Sequence, residues 1–206
     1  MKRFLDIVLS SIALIVLSPL FFIISIIILI ESDGGVFFRQ TRVGKDNHDF
    51  SLLKFRSMKQ NADQQGFLTV GANDLRITRF GNFLRKYKLD EFPQLINIIK
   101  GDMSIVGPRP EVRKFVNLYQ NEQLNVLSVR PGLTDYASLH YINESELLAT
   151  SENPEELYIN EIMPHKIELN LQYIQNQSIK EDFTIIFKTL RSIGRQESSV
   201  PISKSL

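Results

Sequence analysis

The chain has no cysteine and no tryptophan, and its three histidines, His48, His140 and His165, are spread without metal-ligand spacing. The absence of cysteine excludes disulfides, thiolate metal sites and thiol nucleophiles, and fits a reducing compartment. A net charge of +1 over 206 residues gives no bulk attraction to nucleic acid. No glycine-rich dinucleotide fingerprint, no P-loop and no Gly-x-Ser-x-Gly elbow occurs, so the common phosphate cradles and serine hydrolases are set aside. Nor is there an internal repeat or a low-complexity tract. The length suits one domain plus an anchor.

What the chain does have is concentrated in two places. From Ile7 to Ile30 there is no charged residue. As a helix this run reaches roughly 36 Å, enough to cross a bilayer core of about 30 Å, and it is too long for the apolar part of a signal peptide. Ser18-Pro19 stands at its centre. Pro19 removes an amide donor and crowds the carbonyl of Ile15, which predicts a kink, and Ser18 has a hydroxyl to offer a freed backbone group. Basic residues flank both ends: Lys2 and Arg3 before, Arg39, Arg42, Lys45, Lys54 and Arg56 after. Basic flanks favour the cytoplasmic side. Both can obey only if the helix returns by the face it entered, so spanning and re-entrant topologies stand side by side.

The second place is KYKLDEFPQLINIIKGDMSIVGPRP, residues 86–110. Asp90-Glu91 follows the cations Arg76, Arg79, Arg85, Lys86 and Lys88 and precedes an apolar helical run. Asp90 as an N-cap, with Pro93 tolerated in the first turn, predicts a helix from Asp90 to about Gly101. Free amides and the dipole at a helix start favour an ionised carboxylate and attract phosphate. Adjacent carboxylates can also hold Mg²⁺ through oxygen, and an ionised Asp can attack phosphorus. A plain helix cap is the competing interpretation. Arg109, between two prolines, is a stiffened phosphate donor. Arg130 sits in a similar Arg-Pro-Gly turn, and Lys54 and Arg56 share one face of a strand.

Elsewhere, short strands are expected at Val36–Phe38 and Phe50–Phe55, joined by a polar loop. Leu75, Phe80, Phe83, Leu84 and Tyr87 predict an amphipathic helix with a basic face suited to anionic lipid. Helices are expected over 111–128 and over 155–176, the latter interrupted at Pro164. Phe183, Ile186, Phe187, Leu190 and Ile193 form a stripe read as core packing in preference to an in-plane membrane helix. The result is a mainly α fold with a small β element, divided as an anchor (1–31), a compact catalytic body (32–195) and a disordered tail (196–206).

KFRSM (54–58), LDEFPQLINIIKGDMSIVGPRP (89–110) and VRPGLT (129–134) resemble the bacterial sugar transferase family, the small monotopic phosphoglycosyl transferases. The likeness runs from about Lys2 to Thr134 and weakens beyond. It implies a re-entrant membrane helix broken at Ser18-Pro19, with amphipathic interfacial helices and the body on the cytoplasmic face of the bacterial inner membrane. It implies transfer of a phosphosugar from a UDP-sugar to polyprenol phosphate with release of UMP, as the first membrane step of glycoconjugate assembly. Asp90 matches the family's nucleophile and Glu91 its partner carboxylate, with Mg²⁺ as cofactor. Arg85 and Arg109 match phosphate contacts, and Lys54, Arg56 and Arg130 are further candidates. The acceptor phosphate is largely dianionic at pH 7, which favours a metal-orienting or electrostatic role for Glu91 over a general base. Many relatives carry Gly-Trp where this chain has Asp135-Tyr136. The partners implied are UDP-sugar, polyprenol phosphate and membrane lipids, with no nucleic acid; a homodimer is left open. The alternative is a non-catalytic membrane-bound module that binds nucleotide-sugars or anionic lipids.

Overall fold

The computed structural model describes residues 1–62, 66–71 and 74–194; the expected tail at 196–206 lies outside them. The apolar run forms one helix, α1 (Lys2–Glu31). The break that the sequence predicts at Ser18-Pro19 is not there: the helix runs on through Pro19. Pro19 cannot donate to the carbonyl of Ile15, but the Ser18 hydroxyl does so at 2.8 Å, so the orphaned acceptor is satisfied within the helix.

α1 lays one face on the body along its whole length. Leu14 and Leu17 pack with Leu52, Leu95, Ile98 and Met103, and Phe21, Ile24 and Ile28 pack with Phe55 and Leu84. Ile24 and Ile28 are fully buried, each worth ~1.5–3 kcal/mol. The other face leaves Phe4, Ile12, Ile15, Val16, Phe22 and Ile30 exposed. Polar bonds tie down both ends. Arg3 donates to the carbonyls of Ile98 (2.6 Å) and Ile99 (3.1 Å), Asp6 accepts from the Ser104 hydroxyl (2.8 Å) and the Ile105 amide (3.1 Å), and the Phe80 amide donates to Glu31 (2.9 Å).

β1 (Phe37–Val43) and β2 (Asp49–Phe55) form an antiparallel hairpin longer than the sequence suggests, with Phe38 opposite Lys54 and Arg42 opposite Phe50. α2 (Arg79–Lys86) begins at Thr78, whose hydroxyl accepts from the Gly81 amide at 2.9 Å. A Cβ at Gly81 would lie 2.0 Å from the Ser57 carbonyl oxygen, so glycine there lets α2 close onto the end of the hairpin. Lys88 then turns left-handed (φ 57°), and Leu89–Glu91 make a single 3₁₀ turn before α3 (Gln94–Lys100). Asp90 is therefore not the cap of α3; Pro93 holds that position.

β3 (Ser104–Val106) pairs in parallel with β4 (Gly132–Thr134). Between them the expected helix over 111–128 is only α4 (Arg113–Val116) followed by 3₁₀ turns over Asn121–Ser128. The remainder is helical: α5 (Tyr136–His140), α6 (Glu144–Leu148), α7 (Pro154–Leu157), α8 (Met163–Gln175) and α9 (Ile179–Gly194). A π-helical segment, Tyr158–Ile162, joins α7 to α8 just before Pro164, so the helical run is widened, not interrupted, where the proline cannot donate. The main apolar core gathers Val112, Phe115, Leu148, Tyr158, Ile162 and Ile167. α9 corrects the reading of its stripe. Ile185 is fully buried, whereas Phe183, Phe187 and Leu190 are 52%, 66% and 65% exposed.

Candidate active site

The hairpin, the end of α2, the 3₁₀ turn and the Gly107–Pro110 turn surround a cavity of about 450 Å³. Lys54, Arg56, Arg85, Lys88, Asp90, Glu91 and Arg109 line it, together with Arg42, Thr69, Glu111 and Tyr158. Residues spread over more than fifty positions of sequence are thus brought to one wall.

The two acids are treated differently. Glu91 lies between two cations: Lys54 Nζ at 3.2 Å, and Arg109, whose Nη1 donates to Oε2 at 3.2 Å and whose Nη2 donates to Oε1. Burial alone would raise its pKa, but Arg109 and then Lys54 outweigh it and hold the carboxyl well below the usual range. Asp90 is 4% exposed and its carboxylate has no hydrogen-bond partner among the described residues. Burial, then the charge of Glu91, push its pKa up against the pull of Lys54, Arg85 and Lys88. One acid is locked and ionised; its neighbour is held without a bond, facing a cationic cavity.

The cations differ as well. Burial lowers Lys54 to about 8, opposed by Glu91. Arg85 donates to the Thr69 hydroxyl at 2.9 Å. Arg56 lines the cavity, but its guanidinium donates to the carbonyls of Gly34 (2.6 Å) and Gly35 (2.8 Å), clasping the chain where it leaves α1. Arg130 is not brought to the cavity; it bonds the Gly101 carbonyl at 2.8 Å.

Sequence reasoning missed a buried support. Arg42 donates through Nε and Nη2 to Gln40 (2.9 and 2.8 Å), and through Nη1 to the Pro110 carbonyl (3.0 Å) and Glu111 (3.1 Å). Tyr158 donates to the other Glu111 oxygen. The available signal was alternation: Phe38, Gln40 and Arg42 share a strand face, and the register sets that face beside Lys54.

A buried carboxylate facing a ring of cations, on a body bound along an apolar helix, is an arrangement that fits the handling of phosphate esters beside an apolar phase. The chain belongs to the bacterial sugar transferase family, whose sequence pattern matches residues 1–196. Among curated relatives it is 40% identical over 195 residues to the UDP-N-acetylgalactosamine-undecaprenyl-phosphate N-acetylgalactosaminephosphotransferase of Aeromonas hydrophila, covering 93% of this chain and 43% of that protein. It is 37% identical to the UDP-glucose:undecaprenyl-phosphate glucose-1-phosphate transferase of Escherichia coli K12, covering 92% and 39%. It is 33% identical to the exopolysaccharide production protein ExoY of Rhizobium meliloti, covering 93% and 84%. The chain thus spans about two-fifths of the first two relatives and most of the third.

Proposed function

We propose that the chain transfers a phosphosugar from a UDP-sugar to polyprenol phosphate, releasing UMP, through a covalent phosphosugar–Asp90 intermediate. The observation that carries this reading is the unpartnered, buried carboxylate of Asp90 facing Lys54, Arg85, Lys88 and Arg109. The names of the two transferase relatives support the donor and acceptor classes.

In the first step an Asp90 oxygen attacks the phosphorus that carries the sugar. A P–O bond forms, the diphosphate bridge breaks, and UMP leaves with the bridging oxygen. In the second step an oxygen of polyprenol phosphate attacks the same phosphorus and Asp90 departs, giving polyprenyl-diphosphate-sugar. Burial makes the Asp90 carboxylate a poorly solvated nucleophile. Arg109 and Lys54 can pass from Glu91 to the donor phosphates, and both charges suit bidentate or point contact with phosphate. Arg85 extends the same wall. Glu91, held ionised by its two cations, orients them; a carboxyl so depressed is a weak base, which favours the electrostatic role.

The acids fit Mg²⁺. Its preferred shell is one or two carboxylates with waters and substrate phosphates. Asp90 is free to serve, Glu91 would join it on releasing a cation, and among the described residues no third acid or histidine completes a protein-only cage. When bound, the ion supplies neutralisation of diphosphate charge.

The anchor reading follows from α1. A helix of thirty residues spans roughly 45 Å, yet both ends bond the same body. This supports a helix that begins and ends on one face, with its outer side and the exposed side of α9 in lipid at the cytoplasmic surface. Cysteines at Phe4 and Lys45 should both label from that side alone.

Intact-protein mass spectrometry with Mg²⁺ and a panel of UDP-sugars tests the chemistry. A phosphosugar adduct is expected, absent in Asp90→Asn, and the donor that gives it names the sugar. Undiminished UMP release by Asp90→Asn with polyprenol phosphate present would sink the reading and leave a direct-transfer enzyme; binding without any UMP release would leave a binding module.

A further inference from the structure

The Pro108-Arg109-Pro110 turn has one backbone donor. Pro108 and Pro110 have no amide hydrogen, so the main chain can donate only from Arg109. That amide donates to Oδ2 of Asp135 at 2.7 Å. Asp135 is completely buried. Its other oxygen accepts from the Ser138 amide and caps α5.

The small sheet makes this meeting obligatory. Val106 is in register with Thr134, the Gly107 amide donates to the Thr134 carbonyl at 3.1 Å, and the Gly132 amide donates to the Pro108 carbonyl at 2.9 Å. The backbones touch so closely that a Cβ at Gly132 would lie 2.1 Å from the Gly107 nitrogen. Residue 135 is therefore delivered beside residue 109 by the strands themselves. Arg109 in turn holds Glu91 with both terminal nitrogens, next to Asp90.

We propose that Asp135 is a positioning residue for Arg109, fixing the place of its guanidinium opposite Asp90 and Glu91 without touching substrate. This rests on the phosphosugar-transfer reading above. A residue that only capped α5 would need one oxygen, and serine would serve. The second oxygen has no part in the cap; it grips the single donor of a turn that presents a phosphate-binding cation. Its negative charge also stays beside Arg109 when a donor phosphate displaces Glu91.

The test separates the two oxygens. Asp135→Ser keeps an acceptor for the Ser138 amide and removes the one that holds Arg109. It is compared with wild type, Arg109→Ala and the double variant for apparent Tm, for kcat and KM with the donor that gives the adduct, and for UDP affinity by calorimetry. Asp135→Ser should stay folded, its Tm lowered by several degrees at most for the one stranded amide. Its kcat/KM should fall about 10–100-fold, the scale of a misplaced catalytic contact. In the Arg109→Ala background it should lose nothing further, in turnover or in UDP affinity. Full kcat/KM in Asp135→Ser, or losses that add to those of Arg109→Ala, overturn the proposal. Wild type that binds UDP but forms neither adduct nor UMP disposes of the transfer reading alone; the UDP cycle then still decides whether Asp135 acts through Arg109. If Asp135→Ser does not fold, Asp135→Asn, which keeps one carbonyl oxygen, is measured in the same cycle.

Discussion

Two of the regions in which the chain buries charge are built on opposite rules. At the start of α1, every buried charge is matched. Lys2 meets Asp182 at 2.6 Å, Arg3 meets two carbonyls, and Asp6 takes a hydroxyl and an amide. In the cavity, Glu91 is over-supplied with cations while Asp90, four residues before the buried Gln94, has no bond at all among the described residues. Matched buried charges hold elements together; a buried carboxylate with cations near it but no hydrogen bond costs stability and is available for chemistry. The first region ties the long apolar helix to the body, the second leaves a carboxylate without a hydrogen bond.

The largest effect should come from Asp90→Asn. It replaces a charged group by a neutral isostere, so adduct formation and UMP release should fall at least ~10⁴-fold, as for loss of a nucleophile. The same change removes a buried charge whose desolvation the neighbouring cations only partly offset, so apparent Tm should rise, by ~2–4 °C per kcal/mol recovered. The sign follows from the raised carboxyl. Between the ordinary Asp value and its elevated folded one, the native state binds more protons, so ionisation at neutral pH opposes folding. A fall in Tm would mean that Asp90 is matched by something else. Arg109→Lys should come next. It keeps the charge but loses the two-pronged grip on Glu91 and phosphate, for a loss of ~10²–10³-fold in kcat, the scale of one missing charge-stabilising donor. Steady-state kinetics with the accepted donor checks it.

How much of this was legible in the sequence depended on the range of the signal. Asp90-Glu91, Arg85 and Arg109 are close in sequence and their motif is dense, and the structure gathers them. Lys54 comes from a strand whose alternation was readable. Asp135 and Arg42 were visible only as residues, because their meaning depends on the β3–β4 pairing and the hairpin register, which no local pattern encodes. The cap at Asp90 was misplaced because the left-handed turn at Lys88 spends one extra turn before α3. The helix over 111–128 was over-read. Val112, Phe115, Val116 and Val126 are apolar and buried, but the segment between them folds as tight turns onto one core instead of as a continuous helix. The stripe on α9 shows that helical spacing finds an apolar face but not what covers it.

Asp6→Ala sharpens the contrast from the other side. It strands the Ser104 hydroxyl and the Ile105 amide without their acceptor, at ~1–3 kcal/mol. Apparent Tm should drop by several degrees, while turnover per folded molecule stays within about threefold of wild type. Thermal melts in detergent together with active-site titration by the adduct check both. Loss of turnover as deep as in Asp90→Asn would mean that the latch reaches the Gly107–Pro110 turn through β3, and that the two regions are one device.

The smallest effect tests whether the cavity's cations follow the same rule as its acids. Burial brings Lys54 down to about 8, with Glu91 pulling the other way. Its charge is mostly present at pH 7 and is lost as pH rises through 8. If Lys54 meets donor phosphate, kcat/KM should fall about tenfold per pH unit above that point. Lys54→Arg, whose guanidinium stays charged, should keep a flat profile to higher pH at some cost in its maximum. Stability should move the other way. Unfolded lysine keeps its proton to its ordinary value near 10.5, so between about 8 and 10.5 the unfolded state binds more protons and this residue's contribution to the unfolding free energy rises with pH. A cation that serves the reaction is thus one that the fold would sooner neutralise, as with Asp90. A wild-type profile flat to pH 9.5 would place Lys54 with the matched charges of the latch, its proton secured by Glu91.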